Sequence, residues 1–174
     1  MKLNRRNFIS ASAGIAATIS SPMVFGASRP KVVVIGGGAG GATAARYIAK
    51  DSKGAIDVTL VEPTRSYYTC FFSNLYLGGF RDFDSIGHSY GKLASDYGIN
   101  VVHDWAVDVD SSGKTVSLAG GGTVNYDKLI LSPGIDFVDN SVPGWDLSSQ
   151  NKMPHSYKAG SQTQLLNAQI ENMR

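Results

Sequence analysis

The sequence predicts an α/β fold, a parallel sheet wound with helices and joined to a small antiparallel meander. Three observations carry this. The apolar run Val32-Val33-Val34-Ile35 breaks into Gly36, Gly38 and Gly41 at the spacing G-x-G-x-x-G, and Ala42-Thr43-Ala44-Ala45 then offers small residues suited to open a helix. A second apolar run at 56–61, IDVTLV, ends at Glu62, which lies 21 residues past Gly41. Beyond residue 104, short alternating runs are punctuated by Ser111-Ser112-Gly113 and Gly120-Gly121-Gly122.

Each element has a physical reason. A β-branched run of this kind reads as a buried parallel strand. Gly36 permits a tight turn, Gly38 lets the backbone approach a pyrophosphate, and Gly41 lets helix and strand pack closely. The helix start then presents N–H groups and a positive dipole end to phosphates. Glu62 stands where a carboxylate accepts hydrogen bonds from adenosine ribose hydroxyls, and its charge disfavours a 2′-phosphate. Strand, glycines, helix and acid agree in order, as in a Rossmann-like dinucleotide-binding domain. Residues 63–83 read as an aromatic-rich loop. Ile86, Tyr90, Leu93, Ala94 and Tyr97 recur at helical spacing, which predicts a helix over 85–97 ended by Gly98. A strand follows at 99–103, and the runs 105–110, 114–119 and 123–126 read as the meander. A last apolar strand at 128–131 enters Ser132-Pro133-Gly134, and Leu165, Leu166, Gln169, Ile170 and Met173 suggest a closing helix.

Residues 1–27 stand apart. They carry Lys2, Arg5 and Arg6 with no acid, then a mild apolar stretch rich in Ala, Ser and Gly. That pattern is an export signal, and its apolar run is too short and interrupted for a stable membrane span. Arg5-Arg6-Asn7-Phe8-Ile9 is similar to the twin-arginine signal R-R-x-F-[LI], which implies transport in the folded state to the periplasm. An ordinary secretory signal carrying two arginines is the alternative. Three of the 16 basic side chains lie in this segment, leaving 13 against 14 acids, so the remainder is near neutral at −1. No basic stripe with interleaved aromatics points to nucleic acid.

Cys70 is the sole cysteine, which excludes an internal disulfide and leaves it intermolecular, free, buried or modified. It follows the strand that ends in the ribose-binding acid, at the carboxyl end of the sheet, where such folds bind their ligand. His88, His103 and His155 show no metal-ligand spacing, so no metal site is expected. C-x-x-C-H is absent, which leaves a haem on this chain without support. Tyr67, Tyr68, Phe71 and Phe72 either wall a ligand or fill the core beneath a long loop. Thr43 is a further candidate for phosphate contact.

The order of elements resembles the pyridine-nucleotide–disulfide oxidoreductase superfamily of two-dinucleotide flavoproteins. The segments KVVVIGGGAGGATAARYI, VTLVEPTRSYYTCFFSN, INVVHD, YDKLILSPGI and MPHSYKAGSQTQLL are similar, within it, to the flavoprotein subunits of the flavocytochrome c sulfide dehydrogenases. The resemblance implies FAD held at Gly36, Gly38, Gly41 and Glu62, approached again at Gly134, and bonded covalently through Cys70. It further implies sulfide as electron donor and a c-type cytochrome subunit as partner. Sulfide:quinone reductases and related FAD/NAD-linked dehydrogenases share the first motif, and a non-catalytic nucleotide-binding module would share it too. The expected organisation is a signal peptide at 1–27, the N-terminal part of an FAD-binding domain at 28–150, and a helical connection at 151–174. The second dinucleotide-binding domain and the redox-active cysteines of the superfamily would lie past Arg174, so no catalytic residue is expected within this chain.

Overall fold

The computed structural model describes residues 28–173, so the predicted signal at 1–27 lies outside the described residues. The central sheet is parallel and four-stranded. Its middle is β1 (Lys31–Ile35), flanked by β2 (Asp57–Val61) on one side and by the late strand β9 (Lys128–Leu131) on the other. β5 (Asn100–Val102) extends the sheet beyond β2. Between β1 and β2 runs α1 (Ala39–Ser52). The order β5-β2-β1-β9 leaves β1 toward opposite edges, which is the arrangement that opens a crevice at the carboxyl ends of the strands.

The predicted meander is present as β6 (Ala106–Asp110), β7 (Thr115–Leu118) and β8 (Thr123–Asn125), an antiparallel three-stranded sheet with a bulge between Ala106 and Asp108. Alternation in β1 and β2 divides the core in two. Val32, Val34, Val58 and Leu60 face α1 and α3 (Gly91–Tyr97), packing with Ala45, Ala49, Tyr90 and Ile99. Val33 and Val61 face the meander and pack on Val116, with Ile35, Val102, Leu118 and Leu129 around them. The parallel sheet is thereby covered on both faces, which its continuous apolar strands require.

Two sequence expectations need correction. The stretch 63–83 is not a plain loop: it contains β3 (Ser66–Tyr68), a 3-10 turn (Cys70–Phe72) and α2 (Ser73–Leu77). The helix predicted at 85–97 begins only at Gly91, because residues 83–86 form a 3-10 turn and β4 (Gly87–Ser89) pairs antiparallel with β3. Ile86 and Tyr90 are buried as the stripe predicted, yet they reach the core from different elements. Gly98, left-handed at φ +64°, ends α3 and donates its N–H to the Ala94 carbonyl. After β9 the chain runs without regular structure to a 3-10 turn at Leu147–Asn151, then forms α4 (Ser161–Glu171), which packs on α2. Among the described residues no helix is long and apolar enough to cross a membrane.

Leu60 is fully buried between β1 and the helices. Leu60→Ala should therefore lower unfolding free energy by about 2–5 kcal/mol, read as a shifted denaturant midpoint at unchanged slope.

Candidate functional site

The glycine turn is built by main-chain contacts. Gly36 takes φ +97°, and a Cβ there would overlap the Ser132 carbonyl oxygen. A Cβ on Gly41 would likewise overlap the Gly36 carbonyl oxygen. The first and third motif glycines thus let α1 start against the ends of β1 and β9. Gly38 is different: a Cβ there would meet only the Tyr67 ring, at 3.8 Å, and it borders open space. Gly38 is also the N-cap of α1, which has no side-chain cap and no acid in its first turn. The leading N–H groups and the positive end of the dipole are left for an anion.

Glu62 follows β2 directly and closes on the same turn. Its Oε2 accepts the Gly37 N–H at 2.7 Å, while Oε1 accepts both the N–H (2.9 Å) and the hydroxyl (2.7 Å) of Thr64. A carboxylate has about four lone-pair positions, so this one keeps room for about one further donor such as a ribose hydroxyl. The Tyr90 hydroxyl reaches the turn from the start of α3 and donates to the Gly37 carbonyl at 3.0 Å. Burial, then the Glu62 charge, push the Tyr90 phenol up to about 12. The hydroxyl therefore stays a donor throughout the neutral range.

A groove of about 350 Å³ opens beside the turn. Gly37, Gly38, Ala39, Thr43 and Arg46 form one wall, and Tyr67, Thr69, Phe71, Phe72, His88 and Tyr90 supply the other. Thr69 and Phe71 bracket Cys70, which is free, half-buried and the first residue of the 3-10 turn. That turn is fixed locally: the Thr69 hydroxyl accepts the Phe71 N–H, and the Ser73 hydroxyl donates to the Cys70 carbonyl at 2.9 Å. The aromatic cluster divides. Tyr67, Phe71 and Phe72 line the groove, whereas Tyr68 stacks on Phe83 with ring centroids 4.8 Å apart. Gly134, at φ +79°, stands two residues beyond Ser132 and does not line the groove.

The structure thus gathers Gly36, Gly38, Gly41 and Glu62 at one turn, but of these only Gly38 lines the groove, and Cys70 does not line it although its neighbours Thr69, Phe71 and Phe72 do. The motif did not announce Gly37, Tyr90 or Arg46. Tyr90 was legible only as a core position, because its partner lies 53 residues away in sequence.

The model of one known family, pyridine nucleotide-disulphide oxidoreductase, matches residues 30–170. The chain belongs to this family. It is 54% identical over 44 residues to the sulfide dehydrogenase [flavocytochrome c] flavoprotein chain of Chlorobaculum thiosulfatiphilum, covering 25% of this chain and 90% of that sequence. It is 31% identical over 105 residues to the sulfide-quinone reductase of Aquifex aeolicus (strain VF5), covering 59% of this chain and 24% of that one. Among solved structures, the sulfide:quinone oxidoreductase of Aquifex aeolicus shares the fold at a TM-score of 0.68 and 22% identity, over 83% of this chain and 32% of that chain. A NAD-dependent persulfide reductase from A. fulgidus shares it at 0.67 and 24% identity, over 82% of this chain and 27% of that chain. The chain therefore spans about a quarter to a third of the length of these longer relatives.

Because the Tyr90 phenol is raised from 10.0 to about 12, the stability it contributes is fully present below pH 10 and is lost as pH rises through 12. Melting temperature should fall more steeply between pH 10 and 12 in the unsubstituted protein than in Tyr90→Phe, and equal slopes would contradict the assignment.

Proposed function

We propose that this chain is part of an exported FAD-dependent oxidoreductase that takes electrons from sulfide and passes them to a c-type cytochrome subunit. The observation that carries the reading is the groove that runs from the uncapped, acid-free start of α1 to Thr69, Phe71 and Phe72, the neighbours of Cys70 in the chain. The residues fit the cofactor. Gly36 and Gly41 let α1 start tight against the strand ends, Gly38 leaves the approach open and with the first turn of α1 offers N–H groups to a pyrophosphate, and Glu62 retains an acceptor for an adenosine ribose hydroxyl. Tyr67, Phe71 and Phe72 supply apolar walls farther along. FAD, when bound, supplies two-electron oxidation coupled to stepwise delivery of single electrons. The residues here would bind and orient it, and Cys70 would supply the thiolate for a thioether bond to a flavin methyl carbon, that methyl giving up a proton and the flavin ring taking up two electrons. The similarity to a flavocytochrome c flavoprotein chain supports both the sulfide donor and the cytochrome partner.

The similarity to a sulfide-quinone reductase favours a second reading, in which a quinone takes the electrons. Purified full-length protein with its native cofactor separates the two. Sulfide-dependent reduction of a c-type cytochrome, with flavin retained on the Cys70 peptide after denaturation, is the expected result. Reduction of a soluble quinone alone, with all flavin released on denaturation, would establish the second reading instead.

Periplasmic location by the twin-arginine route is part of the proposal and rests on Arg5-Arg6-Asn7-Phe8-Ile9. Exchanging Arg5 and Arg6 together for lysine should leave the protein in the cytoplasmic fraction, and an unchanged periplasmic yield would count against that route.

A further inference from the structure

Gly37 is the middle residue of the glycine turn, and it is held from both sides. It is buried, its N–H donates to Glu62 Oε2 at 2.7 Å, and its carbonyl accepts the Tyr90 hydroxyl at 3.0 Å. The fit is close: a Cβ on Gly37 would come within 2.7 Å of the Tyr90 ring edge and hydroxyl and 2.8 Å of the Glu62 Cγ. Tyr90 itself is 5% exposed and belongs to the buried cluster that includes Val32, Val34, Leu60 and Ile99. Its backbone carbonyl accepts the N–H of Leu93 at 3.0 Å, so the side chain is anchored to the start of α3. The clamp thus joins three separate elements: the end of β2, the start of α3, and the turn between β1 and α1.

The geometry of the peptide unit gives this clamp a consequence. The Gly37 carbonyl and the Gly38 N–H belong to one planar trans peptide and point in opposite directions. Fixing the carbonyl oxygen on Tyr90 therefore fixes the direction of the Gly38 N–H, on the side away from the phenol. Glycine has no side chain to resist rotation of the peptide plane about its flanking bonds. Without the hydroxyl that plane would be free to turn, and the donor would sample directions that miss an anion at the start of α1. Gly37, Gly38 and Tyr90 all line the groove, so the clamp stands at the place where an anion would sit.

We propose that Tyr90 is a positioning residue for the cofactor pyrophosphate, acting through the Gly37–Gly38 peptide. This rests on the reading that the groove holds FAD. The test uses the full-length protein carrying Cys70→Ala, so that flavin binding is reversible. Tyr90→Phe in that background keeps the ring in the core and removes only the hydroxyl. It should weaken FAD binding about five-fold, the worth of one neutral hydrogen bond, and move the ³¹P resonances of the bound pyrophosphate. Ile99→Val, which loosens the same buried cluster without touching Gly37, should lower the melting temperature but leave FAD affinity and the ³¹P shifts unchanged. Loss of melting temperature alone in Tyr90→Phe, with affinity and ³¹P shifts as in the parent, would overturn the proposal and leave Tyr90 a core residue. Failure of the parent to take up FAD would instead overturn the reading of the groove. A measurement on the parent holoprotein covers the case in which Tyr90→Phe does not fold. Scalar coupling between the Gly38 amide nitrogen and a pyrophosphate phosphorus is expected, and its absence would overturn the proposal.

Discussion

Three pieces of backbone meet at the carboxyl end of the sheet with no room for a side chain between them: Gly36, Gly41 and Ser132. The main chain holds them there. The Gly36 N–H donates to the Val61 carbonyl at 2.9 Å, and the Ser132 N–H donates to the Ile35 carbonyl at 2.8 Å, so the sheet ladder continues one step past β1 on both sides. The Glu62 N–H extends it again onto Val102 at 2.9 Å. The entry to the turn at Gly36 is therefore an extension of the parallel sheet. Glu62 and Tyr90 then hold the Gly37 peptide groups, which that ladder does not reach.

Division of labour between the two sheet faces follows from strand alternation. Odd positions of β1 turn to the meander, and even positions turn to α1 and α3. The groove draws its walls from the helix side, through Arg46, Tyr90 and Leu93. The meander contributes burial beneath the sheet, with Val116 fully buried, while its outer residues such as Val107 stay exposed. Binding chemistry and structural cover are thus carried by opposite sides of one layer.

The parts of this arrangement that depend on local pattern were legible in the sequence. The β-branched run at β1, the glycine spacing and the position of Glu62 are each set within about 30 residues, and a βαβ unit is specified on that scale. The meander was equally readable, because alternation and glycine turns mark hairpins directly. The stretch from β3 to β4 was not. Each of those strands has only three residues, too few for a period of two to show, and their pairing spans the 3-10 turns and α2 in between. The 85–97 stripe misled for a related reason: Ile86 and Tyr90 are four apart and both buried, yet an extended segment separates them. Tyr90 shows the limit most clearly. Hydrophobic spacing predicts that a tyrosine is buried, but the destination of its hydroxyl is decided by tertiary packing.

The position of β9 carries a consequence for the order in which the molecule can form. β1 and β2 are close in the chain and can pair early, but the other edge of β1 waits for a strand that arrives nearly a hundred residues later. Ser132, which closes the back of the glycine turn, comes with it. During synthesis the first βαβ unit would emerge with its motif complete in sequence and open on one side. Long-range parallel pairing of this kind is slow compared with local contacts. The glycine turn therefore gains its full packing as a late folding event, once the second hundred residues have begun to leave the ribosome.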